Sequence, residues 1–517
     1  MQPMFTTNDS EFTRLEGLYI KETNPPPQIT GVFLGVTGIT GECVRGPVAK
    51  AVEITSPARF KEVFGGRDYG SGGTLKGKVW KTLVNRKFGK LVIVRAAAAD
   101  AVAASFDWET AAGGSIGAAV LRIAAAWVGL AGNDLAFKIS DATDGVADHF
   151  NCTIRYLGNT TPYKNCDVST GNDNLATIVG DDDGNLVVLT KLANGRPVNT
   201  AAGVDGADAD GYVNLGETVS GFTSVAGSDG TIADSDFTAS GKGIDLISTV
   251  KGLGCVLVAE RSSATIKASI LSHAATAYDR IFLMCADSDT TSLANAKTDA
   301  ANYRNGEGRV IYCFNHPYTL DPETATFMVR EPCGSMASIL SQIDVDIHPG
   351  EEDTKQFTAD ISRLSYPNLQ REDYIGLREA GISALEQDEG FAFVSGVVTG
   401  LVPGKTEITR RRMTDFLQLS AAKVLKYNVK KKNVESRRKG AKALLTAFCN
   451  DLAANERVVD KLASGKGAFV VDIDSMNTEA QRAAGEEVIF WKVKLIGHEL
   501  FLVLVTQIGT GVTIEAA

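Results

Sequence analysis

The sequence has 517 residues, of which 44% are hydrophobic and 22% are charged, and its formal net charge is −10. This length predicts several domains with large cores, and this composition is ordinary for a globular protein. No apolar stretch reaches the roughly 18 residues that a helix needs to cross a bilayer, and the first residues lack the basic and apolar regions of a signal peptide, so we expect neither a transmembrane helix nor secretion by that route.

The first 24 residues predict an extended N-terminal arm. Strand-forming residues at 18–21 precede three consecutive prolines at 25–27. Because proline cannot donate a hydrogen bond to a β-ladder, the prolines separate this strand from the domain that follows.

Residues 25–98 predict the first part of an α/β domain. A strand is expected at 31–36, a helix that begins at Ser56 and Pro57 and ends before Gly65, a second helix around Trp80, and a strand at 91–94. The closely spaced Gly35, Gly38 and Gly41 indicate a tight loop, since they lack the Gly-Lys-Ser/Thr of a P-loop and the spacing of a dinucleotide-binding motif.

Residues 99–242 predict a β-rich insertion. Alanine, glycine, aspartate and threonine dominate here, and turn signals recur between short strand-like runs. The α/β pattern resumes at 243–348, where apolar runs at 255–258, 281–284 and 310–314 alternate with helical segments at 262–278 and 292–303. Strict alternation of strands and helices favours a parallel sheet, so we expect one α/β domain that is interrupted by the insertion.

Residues 349–505 predict a C-terminal α/β domain with two amphipathic helices and strands at 468–473 and 488–495. An uninterrupted apolar run at 500–505 predicts a strand buried on both faces. Residues 506–517 form a C-terminal arm with further strand formers. A terminal strand that cannot fold back into its own domain needs the edge of another sheet, and a second copy of the chain supplies one.

The eight cysteines never form a CxxC motif. Several of them lie in apolar strands, where a free thiol packs as a small hydrophobic group, and this use of cysteine favours a reducing cytoplasm.

Short sequence motifs along the chain, taken in order, resemble the tail sheath proteins of contractile phage tails and related injection machines. The motifs are GLYIKE at 17–22, GP at 46–47, SPARF at 56–60, FGG at 64–66, AWVG at 126–129 with Gly132 and Asn133, GSDG at 227–230, and RRM at 411–413. The resemblance implies a multidomain α/β fold, with a C-terminal sheath domain and exchanged terminal strands. It also implies a structural subunit without enzymatic activity or cofactor.

The same resemblance implies the partners and the location. We expect a helical stack of hexamers around an inner tail tube protein, with a baseplate and a tail terminator at its ends, and no direct nucleic-acid binding or stable membrane insertion. Such a sheath belongs to the virion tail, is assembled in the bacterial cytoplasm, and contracts to drive the tube through a bacterial envelope. The residues expected to exchange strands between subunits are Leu18, Tyr19, Ile20, Lys21, Leu500, Leu502, Leu504, Val512, Thr513 and Ile514.

Positive charge is concentrated between residues 405 and 442, a segment that contains thirteen basic residues and only three acidic ones. A solvated helix face, a nucleic-acid site and an acidic protein partner are the three interpretations, and few aromatic residues lie here for base stacking. The sheath resemblance favours the third, because the C-terminal domain of such proteins faces the tube. The tube-facing residues are expected to be Arg410, Arg411, Arg412, Lys430, Lys431, Lys432, Arg437, Arg438 and Lys439.

Two motifs offer alternatives with a different chemistry. The DSDTT sequence at 287–291 follows a predicted strand, as the DxDxT of Mg²⁺-dependent haloacid-dehalogenase-type phosphatases does, with Asp287 as nucleophile. Asp208, Asp210 and Glu217 lie at EF-hand offsets, but Gly206 stands at the first ligand position. Helix-capping and turn aspartates are the simpler interpretation of both motifs.

Overall fold

The structure of the chain is a computed structural model, which describes residues 4–5, 19–20, 29, 31–65, 90–109, 119–168, 174–179, 185–201, 206–219, 222–259, 261–321 and 326–498. The helix predicted around Trp80 and the apolar run at 500–505 lie outside these residues. The chain divides into two compact units, Phe33–Asp415 and Met1–Val32 with Phe416–Ala517.

Twenty-three strands are found in the described residues. In the first half of the chain they are β1 (Met4–Phe5), β2 (Tyr19–Ile20), β3 (Val36–Glu42), β4 (Ala51–Ile54), β5 (Lys90–Ala96), β6 (Ser105–Glu109), β7 (Ala119–Ala125), β8 (Leu135–Asp141), β9 (Phe150–Tyr156), β10 (Asn159–Cys166), β11 (Val187–Lys191), β12 (Val213–Asn214) and β13 (Ser224–Val225). The others are β14 (Cys255–Val258), β15 (Ile281–Cys285), β16 (Val310–Phe314), β17 (Pro317–Asp321), β18 (Thr326–Val329), β19 (Ile361–Leu364), β20 (Ile382–Gln387), β21 (Phe391–Phe393), β22 (Phe469–Asp472) and β23 (Phe490–Val493).

Eleven α-helices accompany them within the same described residues. They are α1 (Pro57–Phe64), α2 (Leu175–Val179), α3 (Ser235–Thr238), α4 (Gly243–Thr249), α5 (Ala264–Thr276), α6 (Leu293–Asn302), α7 (Pro332–Gln342), α8 (Arg371–Glu379), α9 (Ile408–Leu425), α10 (Glu435–Ala454) and α11 (Glu479–Ala483). No helix in the described part of the chain is long and apolar enough to cross a membrane.

The larger unit is built on an eight-stranded sheet with the order β21-β20-β16-β15-β14-β3-β5-β4. The six strands from β20 to β5 are parallel, and the edge strands β21 and β4 are antiparallel to their neighbours. Strands β14, β15 and β16 are buried along their whole length, which explains their uninterrupted apolar sequences. The predicted parallel α/β domain, interrupted by an insertion, is confirmed.

Hydrophobic clusters cover both faces of this sheet. Helix α7 lies in one of them with ten of its eleven residues buried, consistent with its sequence PCGSMASILSQ, which carries no charge. Ser263 is the N-cap of α5 and Ser292 is the N-cap of α6, and each serine hydroxyl accepts a backbone N–H from the first turn of its helix.

The glycine run at 35–41 is not a loop, and that prediction is wrong. Strand β3 runs through it, beginning at Val36, where the strand predicted at 31–36 was expected to end. The reason is packing: a Cβ atom on Gly38 would come within 2.9 Å of side-chain atoms of Leu253 and Ile247. Only glycine therefore lets β3 lie this close to the layer above it.

The β-rich insertion forms two four-stranded sheets with the orders β10-β9-β8-β12 and β11-β7-β6-β13. Strand β9 alternates strictly between buried and half-buried residues, the pattern of a sheet with one face on a core. The core between the sheets is separate from that of the α/β domain and contains Trp108, Phe106, Phe137 and Phe150. The expectation of a β-rich insertion is confirmed.

The larger unit continues to Asp415, whereas the sequence places the start of the C-terminal domain at 349. Strand β20 pairs with β16 in the central sheet, and β21 pairs with β20, so residues up to 393 complete the α/β domain. A small sheet of β18, β17 and β19 lies in the same unit.

The smaller unit contains the end of α9, helix α10 and the antiparallel pair β22 and β23. Along residues 490–495 Trp491, Val493 and Leu495 are half-buried, while Lys492 and Lys494 are exposed, as the period of two predicts. Phe416 on α9 contacts Phe448 on α10, with ring centroids 6.0 Å apart.

Candidate assembly surfaces

The basic segment divides into buried and exposed residues, and Arg412 is buried. Only 4% of this residue is exposed, and its guanidinium donates hydrogen bonds to the carbonyl oxygens of Leu340, Ile343 and Asp344 at the end of α7. A cation is favourable at the negative end of a helix. Burial lowers the pKa of Arg412 to about 10. Its expected place in a tube-facing surface is therefore corrected: Arg412 holds α7 and α9 together.

Arg411 and Arg410 also make their contacts within the larger unit. Arg411 lies 2.6 Å from the Asp415 carboxylate, and Arg410 lies 3.2 Å from the carboxylate of Glu407. The Arg411 side chain is only 12% exposed, and that of Arg410 is 43% exposed. Of these three arginines, only Arg410 keeps substantial exposure, so the prediction of a common surface is wrong for Arg411 as well.

A second group lies in the smaller unit, in the connection between α9 and α10 and in the first turns of α10. Lys430, Lys431 and Lys432 are exposed, Lys439 is exposed beside Glu435, and Arg437 is half-buried. We call these five basic residues the basic loop. Tyr427 and Val429 next to it are 75% and 65% exposed, so the surface combines cations with apolar side chains.

Arg438 was also expected to face the tube, but it does not belong to the exposed basic loop. It is 9% exposed, and its Nη1 donates to Oδ1 of Asn433 at 2.7 Å. On α10 it shares the inward face with Ala441 and Leu445, which are buried. Helical periodicity therefore turns this arginine away from solvent.

Among the residues expected to exchange strands, the structure describes only Tyr19 and Ile20. They form β2, which pairs in parallel with Met4 and Phe5. Leu18, Lys21, Leu500, Leu502, Leu504, Val512, Thr513 and Ile514 lie outside the described residues. In the described part of the smaller unit, the sheet of β22 and β23 has only these two strands, so each strand has an outer edge.

The DSDTT motif lies in a structural ion cluster. Lys267 of α5 is 1% exposed, and its Nζ lies 2.5 Å from Oδ1 of Asp287 and also contacts Asp299. Tyr312 donates to the same Asp299 at 2.6 Å. Burial opposes the charge on Lys267, but hydrogen bonds to the two aspartates raise its pKa above the ordinary value. The cluster therefore holds α5 and α6 on the sheet.

The second carboxylate of the motif, Asp289, accepts a hydrogen bond from the Tyr318 hydroxyl at 3.0 Å. In the described residues no group of three His, Cys, Asp or Glu side chains converges as metal ligands would. These contacts give the two aspartates structural roles. The expectation that they cap a helix is wrong, because the N-cap of α6 is Ser292.

The EF-hand-like segment is a turn that its own aspartate stabilises. Oδ1 of Asp208 accepts the backbone N–H groups of Asp210 and Tyr212, each at 2.9 Å, and its other oxygen contacts Arg155. These contacts lower the pKa of Asp208, the backbone hydrogen bonds first among them. Asp208 is thus occupied in local structure.

Comparison with known proteins gives similarity in structure only. No protein-family model and no curated protein matches the sequence. Among solved structures, the chain is similar to the sheath tail protein of Desulfitobacterium hafniense, with 13% identity and a TM-score of 0.57 over 93% of this chain and 100% of that one. It is also similar to a sheath tail protein of Listeria innocua, with 11% identity and a TM-score of 0.59 over 90% and 96% of the two chains.

A third match is the helical sheath of the anti-feeding prophage in its contracted state, with 11% identity and a TM-score of 0.54 over 96% of this chain and 99% of that one. All three matches extend over almost the full length of both chains. The chain therefore has the fold of the contractile tail sheath proteins.

Proposed function

We propose that the chain is a structural subunit of a contractile tail sheath. The observation that carries this proposal is the end-to-end match with solved sheath proteins, because a match of one domain would leave the rest of the chain without a role. Fold by itself does not dictate function. The structural roles of Asp287 and Lys267 favour the sheath over the phosphatase.

The subunits polymerise as a helical stack of hexamers around an inner tube, with a baseplate at one end and a terminator at the other. The stack is assembled in the bacterial cytoplasm and contracts to drive the tube through an envelope. The subunit needs no cofactor or catalytic residue for this role, since the work comes from repacking surfaces between copies.

Neighbouring subunits are tied together by strand exchange. The outer edges of β22 and β23 present backbone donors and acceptors, and an arm from another copy that contains Leu18 to Lys21 or Val512 to Ile514 pairs with them. Backbone pairing depends little on side chains, so such ties persist while other surfaces repack.

The basic loop meets the tube. Its exposed lysines form a cationic surface on a chain whose net charge is −10, and this segregation fits an acidic protein partner. The exposed Tyr427 and Val429 add apolar area at the same place, as protein interfaces require.

Electron microscopy of the purified full chain tests the proposal. We expect rings or tubes, with an inner tube protein from the same source promoting their formation. A monodisperse monomer that remains without polymers at high concentration, with and without that tube protein, would contradict the sheath function.

A further inference from the structure

The β-rich insertion is connected to the α/β domain by two chain segments that pair with each other. The N–H of Val102 donates to the Ser228 carbonyl at 2.8 Å, and the N–H of Ser228 donates back to the Val102 carbonyl at 3.0 Å. Nearby, Oδ1 of Asp100 accepts the N–H of Thr231 at 3.0 Å. The outgoing and returning segments therefore form a short ladder, whereas a flexible connection would leave them independent.

The glycine motifs at 126–133 and 227–230 meet at the base of the insertion. The Asn133 side-chain amide donates to the Gly227 carbonyl at 3.1 Å, and its oxygen accepts the Gly227 N–H at 2.6 Å. Asp229 accepts the N–H of Leu130 at 3.1 Å. A Cβ atom on Gly227 would lie 2.4 Å from the Gly129 carbonyl oxygen, so the segments cross too closely for a side chain there.

Arg95 connects this base to the central sheet. It lies on β5 and is 4% exposed. Its Nη2 donates to the Val128 carbonyl of the insertion at 2.8 Å, while Nη1 donates to the Gly46 carbonyl at 2.8 Å and Nε to the Cys43 carbonyl at 3.2 Å. One buried guanidinium therefore bonds to both bodies. Opening the base would leave a buried donor without a partner.

Arg45 makes a second bridge of a different kind. Its Nη2 donates to the carbonyl oxygens of Glu62 and Lys61 at the end of α1, at 2.7 and 3.2 Å. Its guanidinium carbon lies 5.1 Å from the ring centre of Trp127 and 4.7 Å from that of Tyr156, both in the insertion. The cation is 7% exposed, and the two aromatic rings stabilise it in addition to the carbonyl oxygens.

We propose that these contacts form a fixed joint, so that the insertion and the α/β domain move as one rigid body. The joint consists of the ladder at Val102 and Ser228, the Asn133–Gly227 pair, and the bridges of Arg95 and Arg45. Arg95 and Arg45 span the two bodies, whereas the ladder and the Asn133–Gly227 pair hold together the base of the insertion that the arginines contact. None of these contacts depends on the exposed loops of the insertion. The joint is a property of the single chain, so its test does not require assembly.

Distances between spin labels measure this rigidity directly. None of the eight native cysteines forms a disulfide and all are buried, so labels attach selectively to the exposed positions Thr160→Cys in the insertion and Asn295→Cys on α6. We expect a single narrow distance distribution in otherwise unaltered protein. The double substitution Arg45→Ala and Asn133→Ala removes one bridge between the bodies and the side-chain pair that closes the base of the insertion, and we expect the distribution to broaden and gain longer distances.

Arg196→Ala serves as the matched control. Arg196 bonds to Asp141 and Asn199 within the insertion and takes no part in the joint, so its loss should leave the distribution narrow. A broad distribution in the unaltered protein overturns the proposal, and this result does not depend on whether any variant folds. A narrow distribution in a folded double variant overturns the assignment of the joint to Arg45 and Asn133.

Discussion

Arg309 and Asp415 form a bidentate ion pair inside the larger unit, with Nη1 to Oδ2 and Nη2 to Oδ1 both at 3.0 Å. Their side chains are 4% and 2% exposed, and Arg411 adds a third contact to the same carboxylate. The pair connects the start of β16 to the first half of α9. Burial raises the pKa of Asp415, although the two arginines act in the opposite direction.

Replacing Asp415 by Asn should therefore destabilise the protein strongly. Arg309 would keep its buried charge without a counter-ion, and removal of one partner from a buried pair typically costs about 3–5 kcal/mol. Urea unfolding of the full chain measures the loss. Glu307→Gln is the matched control, because Glu307 pairs with Lys405 at the surface, and its loss should change the midpoint little. Equal effects of the two substitutions would contradict the buried role of Asp415.

Acid should destabilise the fold through His316. The residue is 5% exposed, and burial lowers its pKa to about 4, while Asp289 opposes the shift. The unfolded chain has the ordinary value of about 6.5, so between these pH values it binds one more proton than the fold does. Stability is therefore full above about pH 6.5 and falls by about 3 kcal/mol as pH drops towards 4.

The contribution of His316 to the loss of stability in acid is measured by comparing unfolding midpoints at pH 7 and pH 5 for the native chain and for His316→Gln. The variant should lose less stability between the two pH values, because the carboxyl groups that titrate in both proteins cancel in the comparison. An identical loss in both proteins would exclude His316 as its source.

Reversing charge in the basic loop should weaken attachment to the tube. Lys431→Glu with Lys432→Glu changes two exposed cations, so the fold should remain intact. We expect reduced co-sedimentation with tubes, and a deficit that depends on ionic strength. Lys466→Glu, another exposed lysine of the same unit, is the control. Normal sheathing by the double variant across a salt series would assign the basic loop to another partner.

The insertion should be dispensable for assembly. Its core is separate from that of the α/β domain, and Val102 and Ser228 already face each other as a paired bridge. Replacing residues 103–227 by a short Gly/Ser turn should therefore give a folded chain that still polymerises, at the cost of the contacts that Arg45 and Arg95 make with the insertion. A folded deletion variant that forms no rings or tubes would show that the insertion carries contacts between subunits.

Strand exchange predicts that polymers are more sensitive than the monomer to proline in the terminal arm. Thr513→Pro removes a backbone donor and blocks the ladder that the arm would form with another copy. We expect unchanged thermal unfolding of the single chain and the loss of long tubes, with Thr513→Val as the control that keeps the donor. Tubes of normal length with proline at 513 would contradict the exchange.

The sequence predicts the parallel sheet well because its strands are buried on both faces. Residues 255–258, 281–284 and 310–314 must be apolar throughout to form such strands, so composition reveals them directly. Strand β3 has the same environment, but at Gly38 the side chains of Ile247 and Leu253 lie too close for a Cβ atom, and the strand has a glycine there. The local sequence contains the glycines, but the residues that pack against them are distant in the sequence, so the strand could not be predicted from this segment alone.

The basic segment illustrates the second limit of sequence reasoning. Its charges can be counted, but Arg412 bonds to carbonyl oxygens about 70 positions earlier in the chain. Arg411 meets Asp415 one helical turn away, and what buries this carboxylate is its pairing with the distant Arg309. Which cations stay on the surface is therefore decided by tertiary contacts. The burial of Arg438 could have been predicted from the sequence, because helical spacing places it on the same face as the apolar residues Ala441 and Leu445.

The pairing of β3 with β14 in the central sheet also affects how the chain folds during its synthesis. Thr37 and Cys255 are opposite each other in this pair, their hydroxyl and thiol 3.3 Å apart, although 218 positions separate them. A ribosome needs roughly 10–40 s to add that many residues, and β3 waits for its partner during this time. The insertion emerges in the interval with a complete core of its own. We expect the insertion to fold first, because this would bring the ends of the interrupted domain together at Val102 and Ser228 and shorten the loop that β14 must close.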